Sequence, residues 1–214
     1  MQNINLINSL SGLLILTSLL VIETKTLRQS AIQYGIQSFV LVLIFLALAV
    51  TMHAEQLYLW AASAFVTKAL LVPYILARAE KSMEGQPAAN VSPWPSIILA
   101  GISLVVAFTV INSLNLQVAA EFKPALAVSI AHFFFGQLCI LTQKNMLKQV
   151  LGFCLMENGS HLTLALLAYN APELVEIGIA TDAVFGVIIM VILLVQINRS
   201  LHTLDVTELK SLKG

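Results

Sequence analysis

The chain has 214 residues, of which 58% are hydrophobic and 10% are charged, and its formal net charge is zero. Soluble domains carry roughly 25% charged residues, so this composition excludes a water-soluble enzyme. A mean hydropathy of +0.90 instead predicts an all-α, polytopic membrane protein, because each membrane-crossing helix needs about 20 apolar residues.

Seven apolar segments follow one another along the chain and are separated by polar residues. The predicted transmembrane helices cover residues 4–22, 31–52, 57–77, 95–114, 124–141, 147–169 and 175–197. Spans of this length use almost the whole chain. They leave no room for an extramembrane catalytic domain, so we expect no catalytic residues in this chain.

The longest connection, at residues 79–94, is rich in charged and turn-forming residues and predicts a cytoplasmic linker. The predicted organisation is a three-helix unit at 1–78, the linker at 79–94, a connecting transmembrane helix at 95–116, a second three-helix unit at 117–198 and a cytoplasmic tail at 199–214. Each three-helix unit has a basic turn after its first helix, which indicates a parallel repeat. Apolar helices also resemble one another by chance. In the register of the repeat, Gln37 corresponds to Glu157.

The Lys and Arg residues other than Lys68 lie almost entirely on one side of the membrane. Nine of these ten residues fall in alternate loops and in the tail, and Lys123 alone falls on the other side. Because cytoplasmic loops collect Lys and Arg, we expect the N-terminus outside and the C-terminus in the cytoplasm. This orientation requires an odd number of spans, which agrees with seven.

Five ionisable residues fall well inside the predicted spans: Lys68, His132, Glu157, His161 and Asp182. A charge at the bilayer centre costs about 2.5–3.5 kcal/mol, so such residues are candidates for function. Lys68 lies about ten residues from either end of its helix, too deep for its side chain to reach water. It requires a carboxylate partner or a wet cavity. The alternative to a functional role is a structural ion pair with another subunit.

Polar residues form one stripe on the otherwise apolar sixth span. Cys154, Glu157, Asn158 and His161 recur there at helical spacing. A buried carboxylate and an imidazole one turn apart suit a proton relay, because donor and acceptor must have similar proton affinities. The alternative is a polar seam that holds helices together.

Two further candidates lie on the fifth and seventh spans. Asp182 stands between Gly178 and Gly186 on one helical face, so a neighbouring helix can approach closely and bury its carboxylate. His132 either joins a proton path or hydrogen-bonds across helices.

Aromatic residues near span ends predict interfacial belts. These residues are Trp60, Trp94 and Tyr169.

Metal and cofactor chemistry has no recognisable motif in this chain. Only two cysteines occur, Cys139 and Cys154, and both lie in apolar runs; CxxC, HExxH, GxSxG and glycine-rich phosphate loops are absent. Iron–sulfur clusters and structural zinc generally need three or four ligands at short spacing. We therefore expect no metal or cofactor in this chain.

Several longer segments resemble known membrane proteins. LMENGSHL at 155–162, EIGIATDAVFG at 176–186 and the tail at 204–214 resemble the three-helix K subunit of respiratory complex I, which is related to the C subunit of Mrp-type antiporters. SAFVTKALLVP at 63–73 and FKPALAV at 122–128 extend the similarity to most of the chain. On these segments the chain resembles the component E family of hydrogenase 4, a nickel–iron hydrogenase of the formate hydrogenlyase type.

The resemblance implies a non-catalytic subunit of a bacterial inner-membrane complex that contributes to proton or electrostatic coupling. The residues implied are Glu157, Lys68, Asp182, His161, His132, Asn158 and Gln37. Asp182 would replace the third-helix glutamate of the K subunit, whereas the second-helix glutamate falls at Cys154 and would be displaced to Glu157.

The resemblance also implies the partners. Antiporter-like and hydrogenase-anchoring membrane subunits would surround the chain, and partner subunits would hold the nickel–iron centre and the iron–sulfur clusters. No nucleic-acid partner is expected. The rival interpretations are a subunit of a cation/proton antiporter and a purely structural membrane scaffold.

Overall fold

The computed structural model describes residues 2–83, 93–114, 120–171 and 173–211. Within these residues the chain is helical apart from short connections, and seven helices are long and apolar enough to cross a membrane. The predicted all-α architecture and the count of seven spans are therefore confirmed. The division into two three-helix units stays a prediction, and most of the predicted 79–94 linker lies outside the described residues.

The helices follow one another in simple order. Their bounds are α1 Gln2–Glu23, α2 Leu27–Met52, α3 Gln56–Ala64, α4 Val72–Ser82, α5 Pro93–Ser113, α6 Lys123–Thr142, α7 Met146–Leu167 and α8 Glu173–Leu201. A π-helical segment, Phe65–Leu71, joins α3 to α4, so that these three elements form one continuous span.

The π-helical segment contains Lys68 and ends just before a proline. Pro73 has no N–H, so it cannot donate to the carbonyl of Ala69 as an α-helix would require. The backbone N–H of Val72 instead reaches back to the carbonyl of Thr67, the longer step of a π-helix. Helix α2 packs closely against this irregular backbone, because a Cβ at Gly35 would lie 3.2 Å from the oxygen of Ala69.

Helices α6 and α7 approach each other so closely that their backbones touch. A Cβ at Gly136 would overlap the backbone of Gly152 and Met156, and a Cβ at Gly159 would overlap the backbone of Phe133. Small residues at such crossings allow close helix contact in membranes. This crossing fixes the position of α7, which carries the polar stripe.

The degree of burial differs strongly between the helices. In the most apolar window of α7, 61% of the residues are buried, compared with 22% in α5 and in α8. The core lies between α1, α2, α6 and α7, whereas α5 and α8 present long rows of exposed apolar side chains. The polar stripe on α7 is thus placed at the centre of the bundle.

The end of the molecule that carries the α6–α7 turn is tied together by hydrogen bonds. The backbone N–H of Met146 donates to Leu204 and that of Val206 donates to Lys144, each at 3.0 Å, so the tail docks onto this turn. Asp205 accepts from the backbone and hydroxyl of Thr207, and these bonds hold the pKa of its carboxyl below its usual value.

Lys148 caps the last carbonyl groups of α1. Its Nζ donates to the carbonyl of Ile22 at 2.7 Å and also to that of Thr24, and the residue is 3% exposed. A cation at a helix C-terminus satisfies unpaired carbonyls and complements the helix dipole. The sequence placed Lys148 in a basic loop, whereas the structure uses it as a buried contact between α7 and α1.

Candidate functional site

The centre of the bundle contains an ion pair between two of the predicted site residues. Nζ of Lys68, on the π-helical segment, lies 2.9 Å from Oε1 of Glu157 on α7, and the side chains are 1% and 16% exposed. The carboxylate that Lys68 requires thus comes from this chain. The charge of Lys68 is therefore compensated within this chain, without a carboxylate from another subunit.

A buried chain of hydrogen bonds runs beside the ion pair and joins four helices. Asn158 on α7 donates to Oε1 of Gln37 on α2 at 2.9 Å. Gln37 Nε2 lies 3.0 Å from Nε2 of His132 on α6. Nδ1 of His132 lies 2.7 Å from the hydroxyl of Ser18 on α1. Ser18 in turn donates to the carbonyl of Leu14 in its own helix.

The hydrogen bonds of this network all run in one direction, from Asn158 through Gln37 and His132 to Ser18. Because Gln37 accepts from Asn158 through oxygen, its amide nitrogen donates to His132, whose Nε2 must accept. The proton then sits on Nδ1 and is donated to Ser18. This assignment follows from the hydrogen-bond partners rather than from observed hydrogens. The imidazole is neutral with both nitrogens engaged, which favours the interpretation of His132 as a contact between helices.

His161 lies one turn beyond Glu157 in an aromatic environment. Its ring centroid is 4.7 Å from that of Phe45 on α2 and 5.1 Å from that of Trp60 on α3. Trp60 is completely buried, whereas Trp94 is 70% exposed. The prediction of an interfacial belt position is therefore wrong for Trp60, because its ring packs against His161 inside the bundle.

Asp182 lies apart from the other predicted site residues. It is exposed on α8, and within the described part of the chain it takes no part in an ion pair. Gly186 packs near the ring of Phe153, but a Cβ at Gly178 would meet nothing within 4 Å. Among the described residues, no helix approaches Gly178 or buries Asp182, so the expected burial of this carboxylate is not seen.

The sequence did not single out several members of the cluster. Ser18 and Ser38 are fully buried, and Asn158 donates to Ser38 at 3.1 Å as well as to Gln37. Tyr34 is 1% exposed and lies close to Ser38 and Asn158. A serine in an apolar helix usually bonds to its own backbone, so the sequence carries no signal that separates these serines from others.

The described ranges contain no group of three or more His, Cys, Asp or Glu side chains that could hold a metal ion. Cys139 and Cys154 are both buried free thiols, on α6 and α7 respectively.

Hydrogenase-4 component E of Escherichia coli is 50% identical to this chain over 211 residues, which is 98% of each chain. The chain belongs to the hydrogenase-4 component E family. Hydrogenase-4 component E of Shigella flexneri matches with the same identity and coverage. An uncharacterized protein of Mycobacterium tuberculosis is 26% identical over the full length of both chains. No solved structure matches this component E family member.

A second match covers the C-terminal part of this chain. The family model described as NADH-ubiquinone/plastoquinone oxidoreductase chain 4L matches residues 124–214, which confirms the predicted resemblance to this complex I subunit. Glu157, Asn158 and His132 lie inside the 4L-like part. Lys68 and Gln37 lie outside it, in the N-terminal spans. The ion pair and the hydrogen-bond network both join the 4L-like part to the rest of the component E chain.

Proposed function

We propose that this chain is a non-catalytic membrane subunit of a hydrogenase-4 complex of the formate hydrogenlyase type, in which the Lys68–Glu157 pair carries proton or electrostatic coupling. Antiporter-like and hydrogenase-anchoring membrane subunits are its partners. The nickel–iron centre and iron–sulfur clusters belong to other subunits, and the chain lies in the bacterial inner membrane. The observation that supports coupling most strongly is the 2.9 Å ion pair enclosed within membrane-spanning helices.

The strength of this pair makes it suitable for coupling. Breaking a buried ion pair such as this 2.9 Å contact by neutralising one member costs about 3–5 kcal/mol. A neutral hydrogen bond contributes only about 1 kcal/mol. A proton that neutralises Glu157 therefore changes the energy of Lys68 far more than a change in any neighbouring hydrogen bond would. A charge or conformational change in a partner subunit can act on the pair in the reverse direction.

A scaffold is the second candidate, and the neutral network of His132, Gln37 and Asn158 favours it. Each of these side chains has a hydrogen-bond partner on another helix, which is what a polar seam requires. We therefore assign coupling to Lys68 and Glu157, and treat the network as support that holds α2, α6 and α7 in place. A cation/proton antiporter subunit is less favoured, because Glu157 is already paired and Asp182 is exposed on α8.

The coupling role is tested by Glu157→Gln in the assembled complex. We expect hydrogenase activity with an artificial electron acceptor to stay near normal per assembled complex, because Glu157 is remote from electron transfer in this proposal. Proton-coupled activity, measured in membrane vesicles, should fall severely because the amide does not titrate. Glu157→Asp should recover part of it. Glu55→Gln, in the exposed turn between α2 and α3, is the matched control and should leave both activities unchanged.

Glu157→Gln can also lower the proton-coupled activity indirectly, because it leaves the ammonium of Lys68 without a partner. The double variant Lys68→Met/Glu157→Gln removes both charges and therefore also removes the uncompensated ammonium. The coupling proposal expects this assembled complex to remain uncoupled, whereas the scaffold interpretation expects it to work. Normal proton-coupled activity in either assembled variant would end the coupling assignment.

The proposed orientation has its own test. Reporter fusions to the C-terminus should be active in the cytoplasmic format only, because the α6–α7 turn and the tail share one end of the bundle and basic residues mark the cytoplasmic side. A fusion in the α2–α3 turn, at His53, should report the opposite side. A periplasmic C-terminus would contradict the orientation.

A further inference from the structure

The exposed carboxylate of Asp182 would be energetically costly if its surface faced lipid. Asp182 lies five residues, about 7.5 Å along the helix axis, inside the candidate membrane span Ile177–Leu201. An aspartate side chain is too short to reach the headgroups from that depth. A charged residue facing hydrocarbon costs about 2.5–3.5 kcal/mol, and such residues normally face protein or a wet cavity.

The surroundings of Asp182 on α8 form a continuous open face, which we name the Asp182 face and define by Gly178, Asp182, Phe185, Ile189 and Leu193. Helical periodicity places these residues on one side of α8. The three apolar side chains are 59%, 55% and 50% exposed in chain order, and a Cβ at Gly178 would meet nothing within 4 Å. At Phe185 the face borders an apolar groove of about 730 Å³ between α3 and α8.

The charge of Asp182 limits what can cover this face. Acyl chains cannot satisfy a carboxylate, and a partner helix with a further carboxylate would repel it. A cationic side chain on a partner helix both neutralises the charge and donates hydrogen bonds. Gly178 permits the close backbone approach that brings such a side chain within reach.

A second copy of this chain does not fit as the partner. Its one intramembrane lysine, Lys68, is 1% exposed and paired with Glu157. Both nitrogens of its His132 are engaged in the buried network. Its His161 is 2% exposed and packs against the rings of Phe45 and Trp60. None of these three groups can reach the Asp182 face of another copy without breaking contacts inside its own bundle. The cation must therefore come from a different polypeptide.

We infer that the Asp182 face binds a transmembrane helix of a different subunit, and that this helix presents a lysine, arginine or histidine to Asp182. The inference rests on the proposed function in so far as it places the chain in a complex, but it does not depend on proton coupling. Glu157→Gln variants that remain coupled would leave it intact.

The test is photo-crosslinking in native membranes that contain the whole complex. A photoreactive amino acid at Ile189 should crosslink a different membrane subunit, and mass spectrometry should locate the crosslink on a span with a basic residue within about two helical turns. The matched probe at Leu16, 61% exposed on α1, should not capture that same segment. Crosslinking to lipid only, to a second copy of the chain, or to a span without a basic residue would overturn the inference.

Substitutions of Asp182 then test the role of its charge. Asp182→Leu should lower the yield of the Ile189 crosslink by at least about tenfold, equivalent to about 1.4 kcal/mol, and Asp182→Glu should retain most of it. Thr181→Val is the control, because the Thr181 hydroxyl is exposed and bonds to the carbonyl of Ile177 in its own helix at 2.6 Å. Equal crosslink yields in the Asp182→Leu and Thr181→Val complexes would also refute the inference.

Discussion

Replacing Glu157 with Gln and Lys68 with Met, singly and together, measures how the ion pair contributes to stability. The two charges are not equally enclosed: Lys68 is 1% exposed and Glu157 is 16% exposed. Removal of Glu157 leaves an ammonium that is fully enclosed by the bundle, whereas removal of Lys68 leaves a carboxylate with some surface at the outside of the bundle, where a donor from another subunit can reach it. Breaking a buried pair costs about 3–5 kcal/mol. We expect Glu157→Gln to fall in that range and Lys68→Met to fall below it.

The double variant completes the cycle. Replacing both members of a buried pair by well-packed hydrophobic residues is often close to neutral in stability. The Lys68→Met/Glu157→Gln variant leaves no unpaired charge in the bundle, so it should be more stable than Glu157→Gln alone. The resulting coupling energy should be at least about 2 kcal/mol, within the range found for residues in direct contact. Stability is measured by titration of the purified complex with a denaturing detergent and by the retention of this chain in the complex.

Two results would refute this reasoning. If the effects of the single substitutions simply add in the double variant, the pair does not act as a unit in the folded protein. If Lys68→Met is more destabilising than Glu157→Gln, the difference in burial does not control the cost of the unpaired charge. The same double variant separates stability from coupling, because we expect it to restore the first and not the second.

Two further predictions concern the contacts that hold the site. Gly136→Ala should destabilise the chain by about 1–3 kcal/mol, because the added Cβ would overlap the α7 backbone. The control Gly101→Ala has open space around it and should be neutral or slightly stabilising. The melting temperatures of the two purified complexes measure the difference, and equal values would contradict close α6–α7 packing. Lys148→Met should lower the stability by about 1.5–3 kcal/mol, because α1 loses its cap. The control Lys144→Met changes an exposed side chain and should lower the stability by about 0.5 kcal/mol or less. Similar losses of thermal stability in the two variants would argue against the cap.

The sequence predicted the seven spans well because a hydrocarbon slab imposes one length and one composition on every helix. It also identified Lys68 and Glu157 as buried charges, since depth in a span can be counted from its ends. It did not predict that they pair with each other. Pairing depends on how each helix is rotated, and the π-helical segment at Lys68 changes that rotation in a way that apolar periodicity does not record.

Other misjudged residues share a physical cause. Trp60 lies near the end of its span, a position typical of aromatic belts, but its ring packs between Phe45 and His161. Lys148 lies beside a loop, a position typical of solvated basic residues, but it caps α1. Depth along a span can be counted in the sequence, whereas the direction in which a side chain points across the bundle depends on neighbouring helices far away in the chain.

The two members of the ion pair come from different parts of the chain, which indicates one role for the N-terminal spans. The family model for chain 4L covers residues 124–214 and therefore includes Glu157 but not Lys68. A protein limited to α6, α7 and α8 would bury this carboxylate without the lysine, and another chain would have to supply the cation. Here the π-helical segment supplies it from within the same chain. On the inference drawn above, the mid-span carboxylate that a partner subunit neutralises is that of Asp182, because among the described residues Glu157 is already paired.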